Sequence, residues 1–330
     1  MRAITGGIAC ARRRSLLGIA LVLLLAGCGG GDEGAAPAGE GGTTKLAVQE
    51  TAGVPSAFVA FGIEKGLFEK QKLEIDLQPT QGGAATIPAL VSGDIQVGGS
   101  NVVSLLLASS KDLPIRAIAG GTTAQASGEK DFGALLAAKG KGISEPADLE
   151  GKTVAVNTLN NIAEVVVKAG LEKEGVDPDS LELSEVPFPE MEPALAKGSV
   201  DAAFSIEPFV TQSVEKGDKV LGYSYVDTEP NMQVGAYAVT NQFAESDPEA
   251  VKAFQAAVKE TADYVGGHED EFRTFLSENA DMPPALAEKI VLPKWTGEVD
   301  ADSVAKTAEL MRRYGLVEDD VDPSKLLQGG

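Results

Sequence analysis

Apolar and polar positions follow two rhythms along this 330-residue chain, one of period two and one near 3.6. Leu46 to Val48 is a short apolar strand, and Ser56 to Lys65 reads as a helix closed by Gly66. Leu73, Ile75 and Leu77 alternate with Glu74, Asp76 and Gln78, the period of a half-buried strand. Ala84 to Ser92 predicts a short helix ending at Gly93, bent or shortened by Pro88, and Ile95 to Val97 the next strand. Farther on, Val234 to Thr240 reads as a strand, and Ser246-Asp247-Pro248-Glu249 as a helix start with proline at the first position. Val251, Phe254, Val258 and Val265 fall near one face of that helix, which predicts a helical tail packed on the first half of the chain.

The same pattern occurs twice. Leu46-Ala47-Val48-Gln49 returns as Val154-Ala155-Val156-Asn157, and Gly62-Ile63-Glu64-Lys65 as Gly170-Leu171-Glu172-Lys173, both 108 positions on. Leu73-Glu74-Ile75 matches Leu181-Glu182-Leu183 at the same offset, and Ala89-Leu90 with Gly93 matches Ala194-Leu195 with Gly198 at 105. Each copy reads strand, helix, strand, helix, strand, which predicts two similar α/β lobes with parallel strands and right-handed crossovers. Ligands of such sheets sit at the carboxyl ends of the strands, where loops feed helix N-termini. The matching loops are Gln49 to Ser56, Thr80 to Ala84 and Gly98 to Asn101 in lobe one, and Asn157 to Asn161, Pro187 to Glu190 and Ser205 to Pro208 in lobe two. Two such rims facing each other make a cleft.

The first 27 residues carry four arginines, no acid and the apolar run Leu16 to Ala26, a signal-peptide pattern. The run is shorter than the roughly 20 residues that span a bilayer, so it reads as cleaved. Leu25-Ala26-Gly27-Cys28 resembles the bacterial lipobox, whose cysteine becomes the lipidated first residue of the mature chain. Arg13-Arg14-Ser15-Leu16-Leu17 also looks like a twin-arginine signal, and both export routes stay open. Residues 28–43 are then a lipidated Cys28 and a flexible tether of Gly, Ala, Glu and Asp, too polar to bury a core. The only other cysteine is Cys10, so the folded part offers no disulfide, cysteine nucleophile or thiolate metal site. Without the four signal arginines, 24 basic residues face 49 acidic ones, a net charge of −25 that repels nucleic acid and anionic lipid heads.

Four segments in order carry a family resemblance: Gly62-Ile63-Glu64-Lys65-Gly66-Leu67-Phe68, Ala89 to Ile95, Asp148 to Val156, and Ala194-Leu195 through Val200-Asp201-Ala202-Ala203 to Glu207-Pro208-Phe209. They resemble the periplasmic binding proteins that carry sulfonates, nitrate, taurine and thiamine precursors. The resemblance implies an α/β, two-lobed type II periplasmic binding protein fold, each lobe a mixed, mostly parallel sheet flanked by helices. It implies lobe one over residues 44–123 and 234–330 and lobe two over 124–233, with hinge strands near Gly121 to Phe132 and Gln233 to Tyr237. It also implies delivery of a small organic molecule to an ABC permease and its ATPase. The family's enzyme-like branch relies on a cysteine-rich motif and on histidine, and the cleft loops here have neither.

The rims place Gln49, Ser56, Gly82, Gly83, Ser100 and Asn101 of lobe one, and Asn157, Thr158, Asn160, Asn161, Phe188 and Glu207 of lobe two, as candidate substrate contacts. One asparagine of the crowded Asn157 to Asn161 loop serves as a helix cap, leaving others to face the cleft. Glu207 is either a helix-start acid or a cleft residue that favours a ligand with an amine. The rim loops hold no arginine, so a sulfonate would be held mainly by helix N-termini and amides. The single histidine, His268, reads as an exposed loop residue without a nucleophile beside it, and no catalytic residue, metal site or cofactor is expected. The reading is therefore a monomeric extracytoplasmic binding lipoprotein, held to the membrane through its lipid only. A lipid-anchored hydrolase would need a nucleophile and base that the sequence does not offer, and a surface lipoprotein with a protein partner would lack a ligand-sized cleft. Replacing Cys28 by Ser should abolish acylation in the native host; an acylated mature protein found by mass spectrometry would refute the anchor.

Overall fold

Strand β1, Thr44–Thr51, buries Leu46, Val48 and Glu50 and leaves the intervening Ala47, Gln49 and Thr51 half-buried, the alternation that the pleat imposes. The computed structural model describes residues 42–127, 130–280 and 282–327; the expected signal peptide, Cys28 and nearly all of the expected tether lie outside them. The other strands are β2 Leu73–Thr80, β3 Val97–Asn101, β4 Ile115–Gly120, β5 Thr122–Thr123, β6 Gly133–Ala137, β7 Thr153–Val156, β8 Glu182–Glu185, β9 Ala202–Ile206, β10 Lys219–Gly222, β11 Gly235–Thr240 and β12 Lys294–Trp295. They form two five-stranded sheets, ordered β2-β1-β3-β11-β4 and β8-β7-β9-β6-β10, and the small pair β5 and β12.

The two sheets are copies of one plan. In the first, β2, β1 and β3 run parallel and β11 lies antiparallel between β3 and β4. In the second, β8, β7 and β9 run parallel and β6 lies antiparallel between β9 and β10. The repeat pairs the helices as well, Val54–Glu64 with Ile162–Lys173 and Thr86–Ser92 with Phe188–Lys197. The antiparallel strand of each sheet arrives directly from the other lobe, so the chain crosses between lobes twice. The crossings pair with each other: Val234 N donates to Thr122 O (3.0 Å), Ala124 N to Met232 O and Asn231 N to Gln125 O (both 2.9 Å).

Two local readings shift. Gly83–Ala85 forms a 3₁₀ turn and the α-helix begins only at Thr86, which puts Pro88 in the first turn, where its missing N–H costs nothing. The segment Gly98 to Asn101, expected as a loop, is strand, paired to β11 from Gly98↔Ala238 to Asn101↔Gly235. Its glycines are needed there, because a Cβ on Gly98 would lie 2.6 Å from Thr86 Cγ2.

Pro248–Gly267 starts where the sequence places it, with Asp247 accepting a hydrogen bond from Ala250 N (3.1 Å). Its fully buried Phe254 meets Phe68 and Tyr237 at ring centroid distances of 5.8 and 5.4 Å, on the outer face of the first sheet. Burying such a ring is worth about 1.5–3 kcal/mol. The last long helix, Ala301–Arg313, departs from the expected packing on lobe one alone. It touches Val102–Ser110 of lobe one and Ile162–Lys173 of lobe two, where Glu172 accepts from Arg313 Nη2 (2.6 Å) and Tyr314 Oη (2.7 Å). Val304 and Met311 of this helix therefore belong to one apolar cluster with Val103 and Leu106 on one side and Val165 and Val166 on the other. No helix among the described residues is long and apolar enough to cross a membrane.

Asp131, completely buried beside the crossings, accepts from Phe132 N (2.8 Å) and Val226 N (3.0 Å), yet burial pushes its carboxyl up to about 6. Between about pH 4 and 6 the folded chain keeps a proton here that the unfolded chain has lost. The group's stabilising contribution therefore falls as pH rises through that window, by up to about 1.4 kcal/mol per unit. Denaturant unfolding of wild type and Asp131→Asn across pH 4–7 should differ by that slope; parallel curves would remove Asp131 from the pH dependence.

Candidate functional site

The carboxyl ends of both sets of parallel strands converge on a cavity of about 60 Å³ between the lobes. At 10–15 Å³ per water that is room for roughly four to six water molecules, the scale of a very small solute. The walls touch across the cleft. A Cβ on Gly82 of lobe one would lie 3.0 Å from Asn157 Nδ2 of lobe two, and one on Gly53 would lie 4.0 Å from Pro208 Cδ.

Seven of the twelve candidate residues line this cavity: Gly82, Gly83, Ser100, Asn101, Asn157, Asn161 and Phe188. Asn101 and Asn161 also cap the helices Val102–Ser110 and Ile162–Lys173, the former accepting from Ser104 N (2.9 Å). Asn157 has no capping role and presents its amide to the cavity. Ser100 Oγ is buried and has no hydrogen-bond partner among the described residues. A Cβ on Gly83 would lie 2.6 Å from Ser100 Cα, so only glycine allows the Gly82-Gly83 turn to approach β3. Phe188 stacks on Phe209 at 6.4 Å.

The other five stand elsewhere. Gln49 lies on the opposite face of β1 and donates to its cross-strand partner Gln78 (3.3 Å), and Ser56 Oγ donates back to Gly53 O (3.1 Å). Thr158 is not among the lining residues. Asn160 is exposed with φ of 52°, a left-handed turn position that asparagine tolerates. Glu207 is buried, and burial raises its carboxyl above the usual range. Its Oε2 accepts from Thr211 N (3.0 Å) and its Oε1 from Thr211 Oγ1 (2.8 Å) and from Val291 N of the C-terminal segment (3.1 Å). It fastens a helix start and ties the lobes together.

The acid that does line the cavity is Glu50. It is 8% exposed, accepts from Thr51 N (2.6 Å) and from the Tyr237 hydroxyl, and burial pushes its carboxyl up to about 7. A Cβ on Gly99 would come within 2.2 Å of Glu50 Oε2, so β3 makes room for the carboxylate by carrying no side chain there. The signal for Glu50 was strand parity, since it shares a face with Leu46 and Val48 and Gln49 does not. Thr122 and Phe132 also line the cavity from the first inter-lobe crossing, Gly235 from the start of β11 and Tyr225 from the short helix Ser224–Thr228.

Four helices of eight residues or more begin at the cavity wall, marked by Pro55, Asn101, Asn161 and Phe188. Those starting at Val54 and Phe188 have no side-chain cap; Pro55 and Pro189 carry no N–H and Glu190 N donates to Pro187 O (2.8 Å), so what these ends offer an anion is chiefly the positive end of the helix dipole. Among the described residues, none that lines the cavity is lysine, arginine or histidine. The arrangement offers hydrogen-bond donors, helix dipoles and one carboxylate, and it is a binding chemistry.

Comparison with known proteins agrees with this architecture. The family profile described as NMT1/THI5 like matches residues 55–272. The taurine-binding periplasmic protein of Escherichia coli (strain K12) is 33% identical over 185 residues, 54% of this chain and 54% of that protein. A putative binding protein of Brucella abortus (strain 2308) is 25% identical over 211 residues, 63% of each. The chain thus matches between about half and two thirds of the length of these relatives. Among solved structures, the alkanesulfonate-binding protein of Xanthomonas axonopodis pv. citri bound to MOPS superposes with a TM-score of 0.74 at 16% identity, covering 89% of this chain and 99% of that one. The periplasmic nitrate-binding protein of Synechocystis PCC 6803 gives 0.71 at 15% identity, covering 85% and 84%. The chain belongs to the NMT1/THI5-like family and has the two-lobed α/β fold of the periplasmic binding proteins.

Proposed function

We propose that this chain is the extracytoplasmic solute-binding component of an ABC importer, anchored by a lipid on Cys28, which captures a small polar organic molecule between its lobes and hands it to a permease without chemical turnover. The observation that carries the reading is the cavity: both lobes wall it, helix N-termini and asparagine side chains face it, and it is sized for a small solute. Three of the proteins named above state a ligand in their names, taurine, an alkanesulfonate and nitrate, a compatible set of small anionic or zwitterionic solutes. Release requires the lobes to part, and the paired crossings are where such a rotation is absorbed.

Saturable thermal stabilisation by a member of that set, at about 2.7 kcal/mol when ligand exceeds Kd a hundredfold, is the expected outcome, with the ligand recovered unchanged. Turnover, or no stabilisation by any of them together with no co-purifying solute, would overturn the reading. Once the ligand is known, Asn157→Ala should weaken calorimetric affinity between about fivefold and a hundredfold, the loss of one buried hydrogen bond of roughly 1–3 kcal/mol. Asn160→Ala and Gln49→Ala should leave it unchanged; the reverse pattern would move the site out of this cavity.

A further inference from the structure

We infer that the ligand of this cavity carries an ammonium group seated against Glu50, so that among small sulfonates the protein selects those bearing an amine. The inference rests on the solute-binding reading and narrows it.

The cavity holds a carboxylate that the rest of the protein does not neutralise. Glu50 is more than nine-tenths buried, and its partners are the backbone N–H and side chain of Thr51 and the hydroxyl of Tyr237, none of which brings positive charge. Tyr237 faces it from β11 and is itself held well above the ordinary tyrosine range by burial and by Glu50, so it stays a neutral donor. Burial without a counter-charge is why the Glu50 carboxyl is pushed up to about 7. Retaining such a group in a core costs stability unless something binds to it. A Cβ at Gly99 would lie 2.2 Å from Glu50 Oε2, so the carboxylate as it stands occupies the space that a side chain on β3 would take.

The opposite end of a ligand is provided for separately. Ser100 Oγ is a buried hydroxyl without a partner in the same cavity, and the uncapped N-termini at Val54 and Phe188 favour negative charge. One carboxylate and several donors within so small a volume match a short zwitterion. An alkanesulfonate without an amine, or nitrate, would place a second negative charge beside Glu50 with no lysine, arginine or histidine among the lining residues to offset it.

Isothermal titration calorimetry with taurine (2-aminoethanesulfonate), isethionate, ethanesulfonate and nitrate tests this, because isethionate keeps the taurine skeleton and exchanges the ammonium for a hydroxyl. The expected result is that taurine binds at least tenfold to a hundredfold more tightly than isethionate, the range for a charge-assisted hydrogen bond. Glu50→Gln should lose that preference and bind isethionate at least as well as wild type does. Its Tm should not fall, since the amide keeps the shape and removes the buried charge. If isethionate, ethanesulfonate or nitrate binds wild type as tightly as taurine, or if Glu50→Gln keeps folded-state stability and full preference for taurine, the ammonium inference is overturned while the solute-binding reading stands. If none of the four binds, native mass spectrometry of the solute that co-purifies decides: an amine-bearing solute supports the inference, a solute without one overturns it, and no solute at all overturns both readings.

Discussion

A carboxylate removed from water must meet a cation, keep its proton or be held by donors. Much of the inter-lobe site follows from how Glu50 meets that constraint. β1 must run past its last apolar residue, Val48, far enough to carry the acid to the cavity. β3 must be bare at Gly99 to admit it, and β11 must lie antiparallel beside β3, opposite that glycine, for Tyr237 to supply its hydroxyl. Because β11 arrives from the second lobe, the donor that holds the acid depends on the chain having crossed and returned. Fold topology and site electrostatics are thus one arrangement.

The duplication was legible because it is written in apolar positions, which the pleat and the helix both enforce. The offsets that align Val48 with Val156 and Leu90 with Leu195 recover the matching strands and helices of both sheets. The glycine turn at Gly82-Gly83, the cap residues Asn101 and Asn161 and the free Asn157 could be read at strand ends for the same reason. Gln49 stands one residue from the cavity-lining Glu50, and in a strand one residue is the whole width of the sheet. Glu207 could not be placed from sequence, since its partner Val291 lies 84 positions away in a segment without periodicity. Thr122 reaches the cavity from a crossing and Tyr225 from the short helix Ser224–Thr228, where no repeat marks them.

Several wall residues carry two duties. Asn101 and Asn161 satisfy helix N-termini with their side chains while forming the cavity surface, so substitutions there perturb affinity and stability together. Asn157 and Ser100 are free of that coupling. Evolution of a new preference is least constrained at such positions, because the helices beneath them do not depend on their side chains.

The helix Ala301–Arg313 lies across the seam between the copies, and its Val304 and Met311 join the interiors of both lobes in one continuous apolar cluster. Neither copy therefore closes its own interior. Cutting the chain at the crossings would leave each half with an unfilled flank where Val103, Leu106, Val165 and Val166 now share neighbours. The repeat persists as a pattern of strands, while the apolar interior that α-helix Ala301–Arg313 completes is shared by both copies.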